Sequence, residues 1–400
     1  MIDLNSDRAR QDPYPAYEEV RRAGTAVYDS KRNIWYIGRY DNVSEILQNP
    51  KLFANRIAGI EPTLSGADGT LHYRSRKILQ SAFNTTRIAD LNKAIVKLSN
   101  NLVENLVNKR ECEIIKDLAG QIPASVVIWM MGFENILVED IRRWTDAIIS
   151  HGARKLIAEN NSKPVTFILN NFRRIKGKRY RNASKEIIEC KIYLQEHFMK
   201  AKRGHCNGWV TNYLVNSEGD NCLSMGELLD IGFLMIVAGA ETTTDLIGNA
   251  VLMLVNNPDI QAQLRNHPEF LESFIEEVLR YDSPVQRRPR YTTREIKFDD
   301  KSIPKGSHIE LLIGSANRDP VQFPYAHRFQ LERTPNKHLT FGIGRHFCLG
   351  SQLARRESFA LLDAMIRKLP LMKLANSGEK IEYSENLTLR GPRRLPVLFG

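Results

Sequence analysis

The stretch from Phe341 to Gly350, which reads F-G-I-G-R-H-F-C-L-G, is the most informative in the chain. Gly342 and Gly344 permit a tight, bulged turn that a Cβ atom would obstruct. Cys348 follows at the predicted start of a helix, where free backbone N–H groups and the helix dipole favour an anionic sulfur. Gly350 lets a flat ligand or another backbone approach closely. The pattern predicts a reactive thiolate, although an isolated cysteine is more often a buried structural residue.

The same ten residues resemble the cysteine-ligand loop of the cytochrome P450 family, F-G-x-G-x-H-x-C-L-G, at every fixed position. The resemblance implies haem b (iron protoporphyrin IX) as the cofactor and Cys348 as the axial ligand of its iron. It also implies that Phe341, Gly342 and Gly350 bind the cofactor. A thiolate ligand donates electron density that favours cleavage of the O–O bond.

A second element, E-E-V-L-R, places Glu277 and Arg280 on one face of a predicted helix. Taken alone, such a pair is an ordinary ion pair on a helix surface. The resemblance identifies it with the E-x-x-R element of the family, in which a further arginine completes a structural cluster on the cysteine side. Arg328 or Arg333 is the expected third member.

A long helix is predicted to open at an S-x-x-E capping box, Ser224 to Glu227, and to run to Asn256, about 33 residues or roughly 50 Å. Inside it, A-G-A-E-T-T-T (residues 238–244) interrupts an apolar run. The residues alone are compatible with a kinked helix whose threonines bond to the preceding turn. The resemblance implies instead that Ala238 lies against haem, and that Glu241 and Thr242 are catalytic and deliver protons to dioxygen.

Haem carries two propionates, which need cations or hydrogen-bond donors at the rim of the site. Four residues match positions that serve this purpose in the family: His72 and Arg76 in H-x-x-x-R, Arg290, and His346 just before the ligand. Each taken singly is a surface charge or a satisfied histidine. Their joint spacing predicts that they bind the propionates.

The substrate is expected to lie against segments that differ within the family. Arg287 and Arg288 stand where neutral residues are common, and on an alternating strand one of them should point inward. An inward arginine would suit an acidic group of the substrate, and the alternative turns both outward. Ile236 is the third residue assigned to the substrate pocket.

Basic segments give further hypotheses about partners. Residues 173–185 carry seven cations and no acid, which suits either a solvated loop or docking of an acidic acyl- or peptidyl-carrier protein that presents the substrate. Nucleic-acid binding is disfavoured because Tyr180 is the only aromatic among these cations. The resemblance implies docking of an acidic ferredoxin or flavodoxin near cations on the cysteine side, namely Arg74, Lys77, Arg345, Arg355 and Arg356.

Composition bounds the class of protein. The 400 residues include 57 Lys+Arg against 46 Asp+Glu, a formal charge of +11, and 42% hydrophobic residues, which suits a folded globule with an acidic partner or ligand. Five cysteines without C-x-x-C pairing suit a reducing compartment. The polar lead, residues 1–11, lacks the apolar core of a signal peptide, and the longest apolar run, residues 231–240, is too short to span a membrane. We expect a cytoplasmic protein that does not enter a membrane.

Short strands are predicted at 26–29, 34–38, 285–292 and 308–313. Helical spacing covers 70–84, 86–109, 121–131, 138–158, 183–202, 268–281 and a final stretch from about Cys348 to 369. This order favours a mainly α fold with small peripheral β-sheets (α+β) in a single domain over residues 1–400. The resemblance, which covers about residues 12–399, implies the cytochrome P450 fold.

The family reading implies a soluble, bacterial-type haem-thiolate monooxygenase that inserts one oxygen atom from O2 into a small organic substrate. Electrons would come from NAD(P)H through separate redox partners, a ferredoxin or flavodoxin and its reductase. A tailoring step of secondary-metabolite biosynthesis is expected, by hydroxylation or epoxidation. The alternatives are oxidative coupling or desaturation by the same machinery, a non-catalytic haem-fold protein that recruits carrier proteins, and a helical binding protein without haem.

Overall fold

The structure, a computed structural model, describes residues 3–55, 66–83, 85–150, 178–219, 222–298, 301–376, 378, 380–384 and 387–400. The chain divides into two compact units. Unit 1 comprises Met1–Ile60, Ile95–Ala119 and Thr242–Gly400, and unit 2 comprises Glu61–Ala94 and Gly120–Glu241. The prediction of a single domain over residues 1–400 stays a prediction.

Helices make up most of the described chain, which confirms the prediction of a mainly α fold. In chain order they are α1 (Asp7–Gln11), α2 (Tyr14–Ala23), α3 (Tyr40–Gln48), α4 (Gly69–Ala82), α5 (Thr85–Glu104), α6 (Gln121–Met131), α7 (Val138–Ser150), α8 (Lys178–Lys202), α9 (Trp209–Val215), α10 (Met225–Asn256), α11 (Pro258–Asn266), α12 (Leu271–Tyr281), α13 (Ile313–Ala316) and α14 (Ser351–Lys368). The predicted helices are found with ends shifted by a few residues, and the part of 138–158 beyond residue 150 lies outside the described residues.

The strands found among the described residues all belong to unit 1. They are β1 (Val27–Asp29), β2 (Ile34–Ile37), β3 (Phe53–Ala54), β4 (Glu111–Glu113), β5 (Arg287–Thr292), β6 (Ile296–Phe298), β7 (Lys301–Ile303), β8 (His308–Leu312), β9 (Met372–Leu374) and β10 (Pro396–Phe399). One sheet has the order β1-β2-β8-β5-β3, in which only β2 and β8 are parallel. A second sheet has the order β4-β10-β9, and β6 pairs with β7. The prediction of small sheets is confirmed.

The core of unit 1 lies between the five-stranded sheet and neighbouring helices. Ile37, Ile309 and Leu311 from β2 and β8 are fully buried together with Val43 and Ile46 of α3. Each such side chain contributes roughly 1.5–3 kcal/mol when it leaves water. In α12 the buried apolar residues recur at helical spacing, as expected of an amphipathic helix against a core: Leu271, Phe274, Ile275, Val278 and Leu279. This packing fixes β5, β8 and α12, which carry several of the predicted site residues.

The described residues of unit 2 form helices and the loops that connect them, with no strand. Close approach of its helices depends on two glycines of α10. A Cβ atom on Gly232 would lie 2.9 Å from a methyl carbon of Leu194 in α8, and one on Gly239 would lie 2.7 Å from a methyl carbon of Val127 in α6. Gly239 therefore marks a close approach of α10 to α6.

The predicted capping box at the start of α10 is confirmed. The Ser224 hydroxyl and N–H both donate to one Glu227 carboxylate oxygen, at 2.9 and 2.8 Å, and the Glu227 N–H donates back to the Ser224 hydroxyl at 3.3 Å. These bonds satisfy donors that the first turn of a helix leaves free.

The α10 helix also bears on the question of a membrane. Among the described residues it is the one helix whose length and composition would allow it to cross a bilayer. The apolar part of this helix is therefore longer than the ten-residue run at 231–240 suggests. Of its most apolar window, 67% is buried inside the protein, which is the behaviour of a core helix.

Candidate active site

The cysteine loop in unit 1 is closed by main-chain hydrogen bonds. The Cys348 N–H donates to the Phe341 carbonyl at 2.8 Å, and the Phe347 N–H donates to the Gly344 carbonyl at 3.1 Å. Gly342 and Gly344 have φ angles of +69° and +76°, in the left-handed region that favours glycine. The predicted bulged turn is confirmed, and it leaves Cys348 partly exposed at its end.

The surroundings of this thiol fit a thiolate-ligated haem. Helix α14 begins at Ser351 with Gly350 as its N-cap residue, so Cys348 lies just before the first helical turn. A Cβ atom on Gly350 would meet no heavy atom within 4 Å, so the chain leaves free space next to the cysteine. A sulfur donor on a rigid turn with open space beside it is what axial ligation of a porphyrin iron requires.

The four residues predicted to bind propionates are divided between the units. In unit 1, Arg290 is 6% exposed and donates from Nη1 to the Pro289 carbonyl at 2.8 Å, and the Nε2 of His346 lies 2.7 Å from the Nδ2 of Asn55. In unit 2, His72 and Arg76 are half-buried, one turn apart on the same face of α4. Guanidinium and imidazole donors suit carboxylates, and the propionate role of these residues stays a prediction.

The predicted structural cluster is formed by Glu277, Arg280 and Arg333. Arg280 donates from Nε and Nη2 to the two Glu277 carboxylate oxygens at 2.8 and 2.6 Å, and Arg333 Nε lies 3.1 Å from both oxygens. The Glu277 and Arg280 side chains have no exposed surface, and that of Arg333 has 5%. Of the two candidates for the third member, Arg333 is correct. Arg328 contributes only its carbonyl oxygen, which accepts from Arg280 Nη2 at 3.0 Å.

A neighbouring cluster, centred on Glu276, was not predicted. Arg355 donates to its two carboxylate oxygens at 2.6 and 2.9 Å, and His338 Nε2 lies 3.1 Å from one of them. Burial raises the pKa of Glu276, but hydrogen bonds from Arg355 and His338 outweigh it and lower the pKa to about 2. The Arg355 guanidinium also lies 4.5 Å from the centre of the Phe341 ring, so the cluster braces the first residue of the cysteine loop.

Two of the cations expected to meet a redox partner are ion-paired within the protein. Arg355 is bound to Glu276 in unit 1, and Arg74 is paired with Glu227 in unit 2, so neither is a free docking group. Arg345 and Arg356 of unit 1 are exposed. Side chains of the basic segment 173–185 lie outside the described residues up to residue 184, so the structure does not bear on the predicted carrier site.

The predicted catalytic pair lies in the middle of α10. Glu241 is 8% exposed, Thr242 is half-buried, and Ala238 is exposed. Asp245 lies one turn beyond Thr242 and packs against Gly391. A Cβ atom on Gly391 would lie 2.2 Å from a carboxylate oxygen of Asp245. The acid and the hydroxyl are thus fixed on a packed helix, and their catalytic role stays a prediction.

Two residues assigned to the substrate pocket are placed elsewhere. Arg287 is 3% exposed and donates to the Leu4 carbonyl at 2.6 Å and to Asn5 Oδ1 at 3.0 Å, so its guanidinium is held by the N-terminal residues. Ile236 has no exposed surface and packs in the protein interior, so it does not line a pocket. Strand alternation puts Arg288 on the face of β5 that also carries Arg290, which leaves Arg288 as the candidate for contact with substrate.

Comparison with known proteins places the chain. The sequence pattern of the family described as Cytochrome P450 matches residues 25–399. Cytochrome P450 107B1 of Saccharopolyspora erythraea is 32% identical, over 98% of this chain and 96% of that protein. The structure of the cytochrome P450 PksS of the bacillaene polyketide synthase of Bacillus subtilis superposes with a TM-score of 0.85 at 26% identity, over all of both chains.

A third similarity is to P450BioI, solved in complex with an acyl carrier protein ligated to hexadec-9Z-enoic acid. Its TM-score is 0.84 at 25% identity, over 98% of this chain and 100% of that one. The match over nearly the whole chain, together with the closed loop that carries Cys348, identifies the chain as a member of the cytochrome P450 family of monooxygenases, which act with molecular oxygen.

Proposed function

We propose that this chain hydroxylates or epoxidises a small organic substrate that is acidic or carried on an acyl- or peptidyl-carrier protein, as a tailoring step of secondary-metabolite biosynthesis. The observation that carries the proposal is the cysteine loop. A main-chain bond from Cys348 to Phe341 and two left-handed glycines hold the thiol in one place, with free space beside Gly350.

The residues of this chain fit the roles that haem b requires. Cys348 would ligate the iron, Phe341, Gly342, Gly350 and Ala238 would lie against the porphyrin, and His72, Arg76, Arg290 and His346 would bind the propionates. When bound, haem supplies an iron centre that activates O2 with two electrons. The Glu277 and Glu276 clusters keep the loop rigid, because each ties a separate chain segment to α12.

Glu241 and Thr242 would handle the protons. The Thr242 hydroxyl can donate one hydrogen bond while accepting another, so it can hold a water molecule at its Oγ1 atom. The Glu241 carboxyl, 8% exposed, can carry a proton between that water and the protein surface. The rest of the buried helix keeps bulk water away from this transfer.

Electrons would come from NAD(P)H through a ferredoxin or flavodoxin and its reductase. An acidic electron carrier requires exposed cations, and Arg345 within the cysteine loop and Arg356 on α14 meet that requirement. We place this activity in the cytoplasm, in keeping with five free cysteines.

The proposed substrate class has two supports. Arg288 shares a strand face with Arg290 and can pair with a carboxylate. Two proteins have closely similar folds: PksS is described as the cytochrome P450 of a polyketide synthase, and P450BioI was solved in complex with an acyl carrier protein. Arg288→Gln should therefore weaken binding of acidic ligands such as free fatty acids and leave neutral ligands of the same length unaffected.

The spectrum of the reduced protein with carbon monoxide tests the thiolate. We expect the long-wavelength Soret band typical of sulfur-ligated haem in the native chain and in Cys222→Ser, which removes an exposed thiol elsewhere. Cys348→Ser should lose that band while its circular dichroism remains native. A folded native protein without the band, or a Cys348→Ser variant that keeps it, would refute the proposal.

A further inference from the structure

The N-terminal residues 3–14, here called the arm, are held by two buried arginines of unit 1. The first is Arg287 in β5, which is 3% exposed. Its guanidinium donates to the Leu4 carbonyl at 2.6 Å and to Asn5 Oδ1 at 3.0 Å, and its Nε lies 3.5 Å from the Tyr17 hydroxyl. A buried guanidinium must find acceptors for its donors, and the arm supplies them.

The second is Arg390, which is 7% exposed and binds three separate segments. It donates from Nη1 to the Arg10 carbonyl and from Nη2 to the Gln11 carbonyl, both at 3.0 Å, and from Nε to Asp282 Oδ1 at 2.8 Å. Its guanidinium also lies 3.8 Å from the centre of the Tyr383 ring. Because the acceptors on the arm are main-chain carbonyls, Arg390 responds to where the arm lies more than to its side chains.

These arginines come from two segments that pair with each other, residues 284–288 and 387–391, here called the turn pair. The Gln286 N–H donates to the Thr388 carbonyl at 2.8 Å, and the Arg390 N–H donates to the Pro284 carbonyl at 2.9 Å. The first segment contains Arg288, the residue proposed above to contact the substrate. The arm is therefore hydrogen-bonded to both segments of the turn pair, through Arg287 in one and Arg390 in the other.

The turn pair is in turn fixed to the catalytic helix. Asn249 of α10 donates from Nδ2 to the carbonyls of Arg390 and Asp282, each at 2.9 Å. Gly391 packs so tightly on Asp245 that no Cβ atom fits between them. Asp245 lies one turn beyond Thr242 on the same helix. Arg390 and Gly391 therefore connect the arm to the part of α10 that carries the proposed catalytic hydroxyl.

We propose that the arm is a positioning element for the substrate site, with Arg287 and Arg390 as the positioning residues that transmit its position to the turn pair. The inference rests on the proposed function, because that function has Arg288 of the turn pair contact the substrate. Loss of the hydrogen bonds to the arm should leave the thiolate and its loop unchanged, since they are held by other bonds. It should weaken ligands large enough to touch the turn pair, because an ordered wall costs less to bind against than a mobile one.

The test uses full-length Arg390→Lys and Arg287→Lys, with Arg394→Lys as the matched control on an exposed arginine of the same C-terminal segment. Lysine keeps the charge but cannot donate along the several directions of a guanidinium. Each holoprotein is titrated with imidazole, which fits beside the iron alone, and with miconazole, whose aryl groups reach the walls. We expect the dissociation constant of miconazole to rise about 5- to 10-fold and that of imidazole to change less than about 2-fold, because only the larger ligand needs the ordered wall.

Equal changes for the two azoles, or the same result in Arg394→Lys, would overturn the proposal. Should a lysine variant fail to fold, Tyr14→Phe replaces it, since it removes only the hydroxyl that donates to Asp282 Oδ1 at 2.7 Å and accepts from Gln286 Nε2 of the turn pair at 3.3 Å. Hydrogen exchange separates this inference from the proposed function. Faster exchange in residues 284–288 and 387–391 supports the arm even where the carbon monoxide band is missing, and unchanged exchange refutes it even where the band is present.

Discussion

Replacement of Glu277 by glutamine tests whether the buried cluster on α12 carries the stability of the cysteine side. The native carboxylate accepts from five donor groups: Arg280 Nε, Arg280 Nη2, Arg333 Nε, Asn336 Nδ2 and the Gln330 N–H. Glutamine has nearly the same shape, but it has no charge and turns one acceptor into an NH2 donor. The substitution therefore places the glutamine NH2, itself a donor, against N–H donors of the Arg280 and Arg333 guanidinium groups.

The expected cost follows from burial. Glu277 and Arg280 have no exposed side-chain surface and Arg333 has 5%, so water cannot replace the lost acceptor. Removal of one partner from a buried pair costs roughly 3–5 kcal/mol, most of it for the charge left without compensation. The neighbouring Glu276 is 29% exposed and binds Arg355, which is 28% exposed. Glu276→Gln should cost only about 1 kcal/mol, since solvent screens that pair.

Urea unfolding followed by circular dichroism and by the Soret band measures both variants. We expect Glu277→Gln to unfold at clearly lower urea than Glu276→Gln, with loss of haem at the same midpoint as loss of helix. At low urea both should show the native carbon monoxide band, because neither residue contacts the iron ligand directly. Equal midpoints for the two variants would refute the reasoning, since it assigns the difference to burial alone.

Three further predictions concern other parts of the molecule. Thr242→Ala should keep the thiolate spectrum but divert electrons to hydrogen peroxide, measured as peroxide formed per NAD(P)H consumed; an unchanged ratio would contradict the proton role. Gly239→Ala should destabilise by about 1–3 kcal/mol in thermal unfolding, because its Cβ would lie 2.7 Å from Val127, whereas Gly226→Ala, with free space, should be neutral or slightly stabilising. Burial lowers the pKa of His197 from 6.5 to about 4, so the imidazole binds a proton more readily in the unfolded chain than in the folded one. The free energy of unfolding should therefore fall as the pH is lowered from 6.5 to 4. His197→Gln should show a shallower decline over that range.

The local parts of the fold and site could be predicted because neighbouring residues determine them. The left-handed turn at Gly342 and Gly344, the capping box at Ser224 and the pairing of Glu277 with Arg280 each depend on residues within one or two turns of chain. Spacing along the sequence is then nearly equivalent to distance in space.

One local signal was nevertheless misread. The helix α10 ends at Asn256 as predicted, but Pro258 just beyond it opens α11 (Pro258–Asn266), which was not predicted. A proline in the first turn of a helix loses no internal hydrogen bond, since that N–H has no partner in the helix. The same residue that stops one helix can therefore begin the next.

Contacts between distant segments could not be predicted. The choice of Arg333 over Arg328 depends on the path of the chain after β8, and the burial of Arg287 depends on where the arm lies. Arg355 and Arg356 were both assigned to a partner surface because they lie near the cysteine, yet within the described part of the chain only Arg355 is paired with a glutamate, Glu276. A charge in a sequence carries no information on the segment that will neutralise it.

This limit changes the meaning of the formal charge of +11. Several arginines donate to carbonyl oxygens in place of carboxylates: Arg287 binds Leu4, and Arg265 binds three carbonyls near the end of α14. Such arginines keep their formal charge while they bind neutral oxygens, and burial lowers the pKa of Arg265. Some of the arginines that make up the positive net charge therefore hold backbone segments in place. The attraction of an acidic redox protein or carrier depends on exposed cations such as Arg345 and Arg356, and charge reversal at those positions should change its binding far more than the net charge alone implies.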